Sequence, residues 1–425
     1  MPTSRGNIME EYKLICVNGG GKKGNNKFYN IKISNDIEEL KEYCEKDYRL
    51  KPAKKDLILS EGKGLICTHG RVGESPSYSV YLLKQLNKIL KDKQSPRKGY
   101  KLLEEASIET EYKTIEDIVI KDLIDNLLSY REQHINKTYV ASGSVTQKQL
   151  DVVKQLINNI SSSSVIEEIN MGLLEIYRII PRKMKNVNDF LITNIEDKPY
   201  YIDTELDNIN NLSQHITAPE QPNQTILENF NLQFEEIKNI NAFVNIKLKD
   251  LLYENNGYSY TIDKVYKVTS PQDKVFDSFI NPMNNPNIHL FWHGSGNQNW
   301  FSIIQTSLLL NPNAIITGKM WGHGLYFSDA IGKSIGYTSF RNSYYGNGNS
   351  NKAYLGLFEV AMGNPFYPER HSNKYYKYTE KDIINKGANS LWADPRIKKD
   401  IYLKNPEMIV FNQQQCRLKY LVEIR

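Results

Sequence analysis

The chain is 425 residues long, 40% hydrophobic and 24% charged, with a formal net charge of +5. Two or three domains are expected at that length. The composition is ordinary for a soluble globular protein, and no apolar run is long enough to cross a bilayer, which excludes a protein built on membrane-spanning helices. The opening residues, MPTSRGNIMEEY, lack an apolar core of signal-peptide length, so an intracellular protein is expected. The four cysteines, Cys16, Cys44, Cys67 and Cys416, are far apart and form no CxxC pair. Free thiols and no structural metal are therefore expected. Charge is unevenly placed: residues 1–100 hold 20 Lys and Arg against 12 Asp and Glu, a net of +8, whereas the remainder, 34 against 37, is −3. A basic first hundred residues points to a polyanion partner for that part; a merely well-solvated surface is the alternative.

Residues 1–105 read as a small β-rich domain. Tyr12 to Val17 is a predicted strand, GGGKKGNN a hairpin loop, and Lys27 to Ile33 the partner strand. The loop has a phosphate-binding flavour, but Asn25 stands where the lysine of a Walker motif must be. Leu57 to Leu59 and Gly64 to Thr68 are further predicted strands, the latter leading into His69-Gly70-Arg71-Val72-Gly73. Tyr81 to Leu90 is predicted to be an amphipathic helix, ending before PRKGYKLLE.

Residues 110–235 change to a helical pattern. Ile120, Leu123, Ile124, Leu127 and Leu128 make one stripe. Thr146 to Gln149 is a capping box opening a second helix with Leu150, Val153, Leu156, Ile157 and Ile160 on one side. Ser164 to Glu167 is a further box, starting a helix that Pro181 stops, and Leu206, Ile209, Leu212 and Ile216 form a weaker fourth stripe. Four one-sided helices are expected to bury those stripes against one another as an all-α bundle. Ala218 to Gln224, with two prolines, is the expected joint to the last domain.

Residues 236–425 mix short strands and helices, a strand-rich α+β domain. Predicted strands are Ser259–Val268, the His289 run, Lys352–Met362, Met408–Asn412 and Cys416–Arg425; the last alternates as a strand buried on one side. The densest stretch is His289 to Tyr337, which holds three of the four tryptophans. An apolar run breaks at His293-Gly294-Ser295, where glycine lets the backbone come close to a ligand. A second Gly-rich turn, Gly322-His323-Gly324, leads into Leu325-Tyr326-Phe327-Ser328-Asp329. Asp329 is the expected N-cap of the next helix, on which Lys333, Ser334 and Tyr337 share a face. Together these make a pocket for a flat, polar ring.

These residues resemble the catalytic domain of the poly(ADP-ribose) polymerase family, whose pattern is HG(S), then G-x-G-[IL]-YF-[AS]-D, then KS-x-x-Y, then a glutamate near the C-terminus, matched by Glu407 in EMIVF. The order NKFY, GRVG box, helix and PRKGYKLLE likewise resembles the family's WGR domain, with His69 in place of the tryptophan; His69, Gly70 and Arg71 are then the candidate nucleic-acid contacts. Residues 110–235 resemble the family's regulatory helical domain, which restrains access of NAD. The resemblance implies NAD as the ADP-ribose donor, with no metal, and protein acceptors including the chain itself. It further implies break-type DNA as partner of the N-terminal domain, no membrane, and a nuclear location.

What the resemblance implies of the site is specific. Glu407 stabilises the oxocarbenium-like sugar left as nicotinamide departs and polarises the acceptor hydroxyl; a single carboxylate suffices because the leaving group departs from a cationic pyridinium. Tyr326 and Tyr337 sandwich nicotinamide, Gly294 and Ser334 grip its carboxamide, and His293 meets the adenine-side ribose. Ser295 and Asn299 lie along the diphosphate–adenosine path, and Lys333 and Met320 near the acceptor. Leu309 stands where the family has arginine, His323 where it has lysine, and Met408 where it has an aromatic residue. The His293-Tyr326-Glu407 set favours polymer elongation. Mono-transfer, or a nucleic-acid or protein-binding scaffold with a weakened site, remain the alternatives.

Overall fold

The computed structural model describes residues 11–19, 22–103, 112–140, 145–215, 223–252, 257–310, 320–369, 378–398, 401 and 403–425. The chain divides into two compact units: residues 1–108 with 136–195, and residues 109–135 with 196–425. The architecture is mixed α+β, as the alternation of periodicities implies.

The first unit is built on an antiparallel sheet of order β4-β3-β2-β1-β5. Its strands are β1 (Glu11–Asn18), β2 (Asn25–Ser34), β3 (Gly64–Arg71), β4 (Ser77–Leu82) and β5 (Lys101–Leu102). Leu14 faces Tyr29 across the β1–β2 hairpin, and Tyr29 faces His69 across the β2–β3 pair. Two expectations fail here. Leu57 to Leu59 is not a strand but the middle of the helix Pro52–Glu61, which has proline in its first turn and stops at Gly62 in the left-handed conformation. Tyr81 to Leu90 is not one helix: Val80 and Leu82 are buried in β4, a 3-10 turn spans Leu83–Gln85, and the α-helix begins at Leu86. The apparent helical spacing there crosses a strand-to-helix junction.

The same unit holds two of the expected helices, Gln147–Ser162 and Ile166–Ile179. Thr146 and Gln149 form the predicted reciprocal cap. The second box does not form; Ser163 instead accepts from Val165 N–H (3.1 Å) and donates to Glu168 (2.7 Å). These helices belong to the sheet. Arg178 Nε donates to the Val17 carbonyl (2.9 Å), and fully buried Asn26 donates to the carbonyls of Arg182 and Met184 (2.9 Å each). Leaving such buried carbonyls unpaired would cost about 1–3 kcal/mol apiece, so the ties are structural.

The second unit contains the other two helices, Ile118–Thr138 as far as residue 135 and Lys198–His215. The region 110–235, expected as one bundle, is thus divided between the units. The stripe Ile120, Leu123, Ile124 and Leu127 is buried in one cluster with Trp300, Phe301, Tyr354 and Phe358. It covers the core of the strand-rich domain rather than sister helices. Arg131, on the same helix, is buried with its guanidinium 4.8 Å from the Phe301 ring centre, and burial pushes its pKa down to about 10.

Two sheets form the rest. One has the order β6-β7-β14-β10-β8, from β6 (Gln233–Glu236), β7 (Ile262–Thr269), β8 (Ile288–Gly294), β10 (Ala353–Ala361) and β14 (Cys416–Ile424). The other has the order β11-β12-β13-β9, from β9 (Leu325–Phe327), β11 (Pro365–Phe366), β12 (Ser390–Ala393) and β13 (Glu407–Val410). Strand β14 was expected to be buried on one side. It lies mid-sheet, and the expected alternation holds only in its first half, where Cys416 and Leu418 are buried and Arg417 and Lys419 are partly exposed. Leu421, Val422, Glu423 and Ile424 are all at most 2% exposed, so the second half is buried on both faces. Glu423 is tolerated there because Lys352 (2.9 Å) and Arg425 (3.1 Å) pair with it. A bulge between Leu357 and Phe358 lets Lys419 drop out of the pairing.

Candidate active site

The two sheets meet at one bridge, where Trp292 exchanges both backbone hydrogen bonds with Ser328 (2.8 and 3.0 Å). That bridge sets the end of β8 beside the end of β9. His293 then donates from Nδ1 to the Tyr326 carbonyl (3.0 Å); a carbonyl can only accept, so a neutral ring there carries its proton on Nδ1. Its ring sits among Phe327 and Phe358, each with its centre 5.8 Å away. Gly294 closes on the following helix, Ile331–Ile335: a Cβ at this position would lie 1.9 Å from the Ser334 carbonyl oxygen. Only glycine admits that approach.

Strand β13 lies between β12 and β9, and its first residue is Glu407, opposite Ala393. Glu407 is 9% exposed. Its Oε1 accepts from Lys333 Nζ at 2.6 Å, while its Oε2 is buried and meets no hydrogen-bond donor among the described residues. A carboxylate held by one oxygen with the other in reserve suits a group that must grip or polarise a hydroxyl. The Tyr326 hydroxyl donates to the Gly322 carbonyl (2.8 Å) and accepts from Trp321 N–H (3.0 Å), which locks the ring. Burial foremost, and the charge of Glu407 next, push the Tyr326 and Tyr337 phenols well above their ordinary range, so both stay neutral. Ser334 is buried in the same wall.

Not every expected feature takes its expected form. Asp329 does not cap the helix after it; Ser328 Oγ accepts from Ala330 N–H, and Asp329 pairs with Arg396 (2.7 Å). Arg396 also holds Asp394 (2.7 Å), so one guanidinium joins the ends of β12 and β9 across the start of β13. Burial alone would raise the Asp394 carboxyl, but the hydrogen bonds and charge of Arg396 outweigh it and hold the pKa below its ordinary value. Sequence reading had no signal for this clamp, since surface-type acids and arginines occur throughout the chain.

Asn299 and Ser295 are brought together, Asn299 Nδ2 donating to Ser295 Oγ at 3.1 Å. They are not alone. From the helix Lys198–His215, Asn211 donates to Asn299 Oδ1 (2.9 Å) and Asp207 accepts from Asn299 Nδ2 (3.2 Å). Asp207 and Asn211 are spaced four apart and therefore share a face, but only the apolar stripe of that helix drew notice in the sequence. Met320 packs in a cluster with Trp321 and Tyr326. Leu309 is 46% exposed.

The residues proposed for nucleic acid lie in the first unit. His69 is a β3 residue whose ring stacks on Tyr29 (5.1 Å, 8°), with Nε2 3.1 Å from Ser79 Oγ. Burial, then the nearby charges of Lys93 and Arg49, lower its pKa. Arg71 donates to the carbonyls of Gly24 (3.1 Å) and Lys185 (3.4 Å). Gly70 is in β3 beside it.

Comparison with known proteins agrees with the geometry of the second unit. Residues 235–425 match the poly(ADP-ribose) polymerase catalytic domain. A poly(ADP-ribose) polymerase-like protein, 100L, of Invertebrate iridescent virus 6 is 27% identical over 185 residues, 40% of this chain and 95% of that one. The uncharacterized protein 101L of the same virus is 31% identical over 201 residues, 45% of this chain and 85% of that one. Poly(ADP-ribose) polymerase 2-A of Oryza sativa subsp. japonica is 26% identical over 322 residues, 67% of this chain and 46% of that one, so the likeness reaches upstream of residue 235. The match makes residues 235–425 an ADP-ribosyltransferase catalytic domain, a class that uses NAD as substrate. The chain thus carries a poly(ADP-ribose) polymerase catalytic domain over residues 235–425.

Proposed function

We propose that this protein transfers ADP-ribose from NAD to protein acceptors, itself included, and extends the product into a chain, releasing nicotinamide. The observation that carries the reading is Glu407: a buried carboxylate anchored by Lys333 through one oxygen and open at the other, with His293 and Tyr326 on the adjoining strand ends. In this reading Tyr326 and Tyr337 hold the cationic pyridinium between their rings. Gly294, through its backbone, and Ser334, through its hydroxyl, orient the carboxamide. Glu407 opposes the positive charge that develops on the sugar carbon as the bond to nicotinamide lengthens, and then polarises the acceptor hydroxyl. His293, Ser295 and Asn299 take the adenosine side, and Lys333 with Met320 borders the acceptor.

Asp207 and Asn211 already occupy the polar groups of Asn299. This supports a second element of the proposal: the helix Lys198–His215 competes with NAD and must loosen for full activity. Break-type DNA bound through the basic first hundred residues is the proposed trigger, with His69, Gly70 and Arg71 the candidate contacts, and the nucleus is the proposed location. One experiment tests the whole reading: automodification with labelled NAD, with and without nicked DNA, for the natural chain and for Glu407→Gln. A ladder from the natural chain, stimulated by DNA and lost in Glu407→Gln while NAD still binds, is expected. A single discrete shift would mean mono-transfer, and long chains from Glu407→Gln would refute the role of the carboxylate.

A further inference from the structure

Tyr337 lies in the turn after the five-residue helix Ile331–Ile335 and is 43% exposed. Yet Tyr345 stacks on it, with centres 4.5 Å apart and planes 15° from parallel, and Tyr344 meets Tyr345 edge-on at 4.9 Å. Tyr345 and Tyr344 are themselves 60% and 78% exposed. Burial in a core therefore does not explain where they sit.

The loop that carries them is built to reach back. The N–H groups of Tyr345 and Gly346 both donate to the Gly336 carbonyl (2.8 and 2.9 Å). Ser343 Oγ donates to the Thr338 carbonyl (2.8 Å) and accepts from Gly348 N–H (2.8 Å). The Tyr258 hydroxyl accepts from Tyr344 N–H at 3.2 Å. A Cβ on Gly346 would stand 2.1 Å from the Thr338 carbonyl oxygen, so the loop closes this tightly only with glycine there. Two residues that look like loop filler in the sequence are thus pinned at one spot by five hydrogen bonds.

We infer that Tyr345 is a positioning residue for the nicotinamide end of NAD: it backs one face of Tyr337 and so presents the other face, at a fixed tilt, to the departing ring. This rests on the reading of Tyr337 as a nicotinamide-stacking residue. A flat ring has two faces, and Tyr345 takes one of them. Without that backing, the ligand itself must order Tyr337 each time it binds, a cost that appears in affinity rather than in the chemical step. Stacked aromatic pairs contribute enough to make the loss roughly two- to tenfold.

The test compares Tyr345→Ala, Tyr345→Phe, Tyr337→Ala and the double alanine variant in the full chain. The readouts are equilibrium binding of free nicotinamide, KM and kcat for NAD, and thermal unfolding. Tyr345→Ala is expected to weaken nicotinamide binding and raise KM by roughly two- to tenfold. Its kcat should change less than about twofold, as for loss of uniform binding. Tyr345→Phe, which keeps the ring, should restore binding, and the double variant should be no worse than Tyr337→Ala alone. If Tyr337→Ala weakens nicotinamide binding and Tyr345→Ala does not, the backing role is overturned while the reading of the pocket stands. If Tyr337→Ala has no effect either, both fall. Equal losses in Tyr345→Phe and Tyr345→Ala would also overturn it, because the hydroxyl and not the stack would then be responsible.

Discussion

Lys333→Met is the sharpest perturbation of the site. Lys333 and Glu407 are 74 positions apart yet meet at 2.6 Å, with their side chains only 17% and 12% exposed. Removing one partner of a buried pair strands the other charge, at a cost of about 3–5 kcal/mol when burial is complete. The residual exposure here shifts the expected cost somewhat below that range, to about 2–4 kcal/mol. An exposed pair would contribute only about 0.2–1 kcal/mol. The two cases are separable. All four tryptophans, Trp292, Trp300, Trp321 and Trp392, lie in the second unit, so urea unfolding followed by tryptophan fluorescence reports that unit alone. Lys333→Met should lower its stability by about 2–4 kcal/mol, and adding Glu407→Gln should recover part of the loss because no charge is then stranded. A coupling energy below about 0.5 kcal/mol in that double-mutant cycle would place the pair in the surface class and refute the anchoring of Glu407.

Three further outcomes are expected. Gly294→Ala puts a methyl group 1.9 Å from a backbone carbonyl that no rotamer change can relieve; a loss of about 3 kcal/mol, the upper range for overpacking, should appear in the same urea titration. Asp394→Asn should destabilise the second unit near neutral pH. Because the folded carboxyl titrates below its ordinary value of 3.8, the advantage of aspartate over asparagine is present above that value and lost as pH falls through the lower, folded pKa. Parallel acid-unfolding curves for the two proteins would contradict the Arg396 clamp. Asp207→Ala with Asn211→Ala should raise basal NAD turnover without DNA; an unchanged rate would remove the helix Lys198–His215 as a restraint.

The candidate site was legible to different depths. His293, Gly294, Tyr326, Ser334 and Tyr337 fall within 45 consecutive positions, and their glycines and aromatic residues constrain local backbone strongly enough to be read directly. Glu407 was found through the motif around it, since an isolated glutamate carries no local signal. Asp207, Asn211, Asp394 and Arg396 were missed for the same reason. They are ordinary polar residues whose meaning comes from a distant partner: Asn299 for Asp207 and Asn211, and Asp329 for the Arg396 that also holds Asp394. Tyr344 and Tyr345 were passed over because a loop of Gly, Asn and Ser has no periodicity to mark its direction.

What the sequence by itself determined is local: the helix stripe from Ile120 to Leu127, the reciprocal cap at Thr146, and the close approach demanded at Gly294. These follow from backbone sterics and from hydrogen bonds within a few residues. Only the tertiary structure decided what each face meets. The stripe from Ile120 covers the core around Trp300 and Phe301, the second half of β14 is buried on both sides, and Lys333 reaches Glu407. An apolar face requires a cover but does not specify which, and strand register is set by hydrogen bonds between segments distant in sequence.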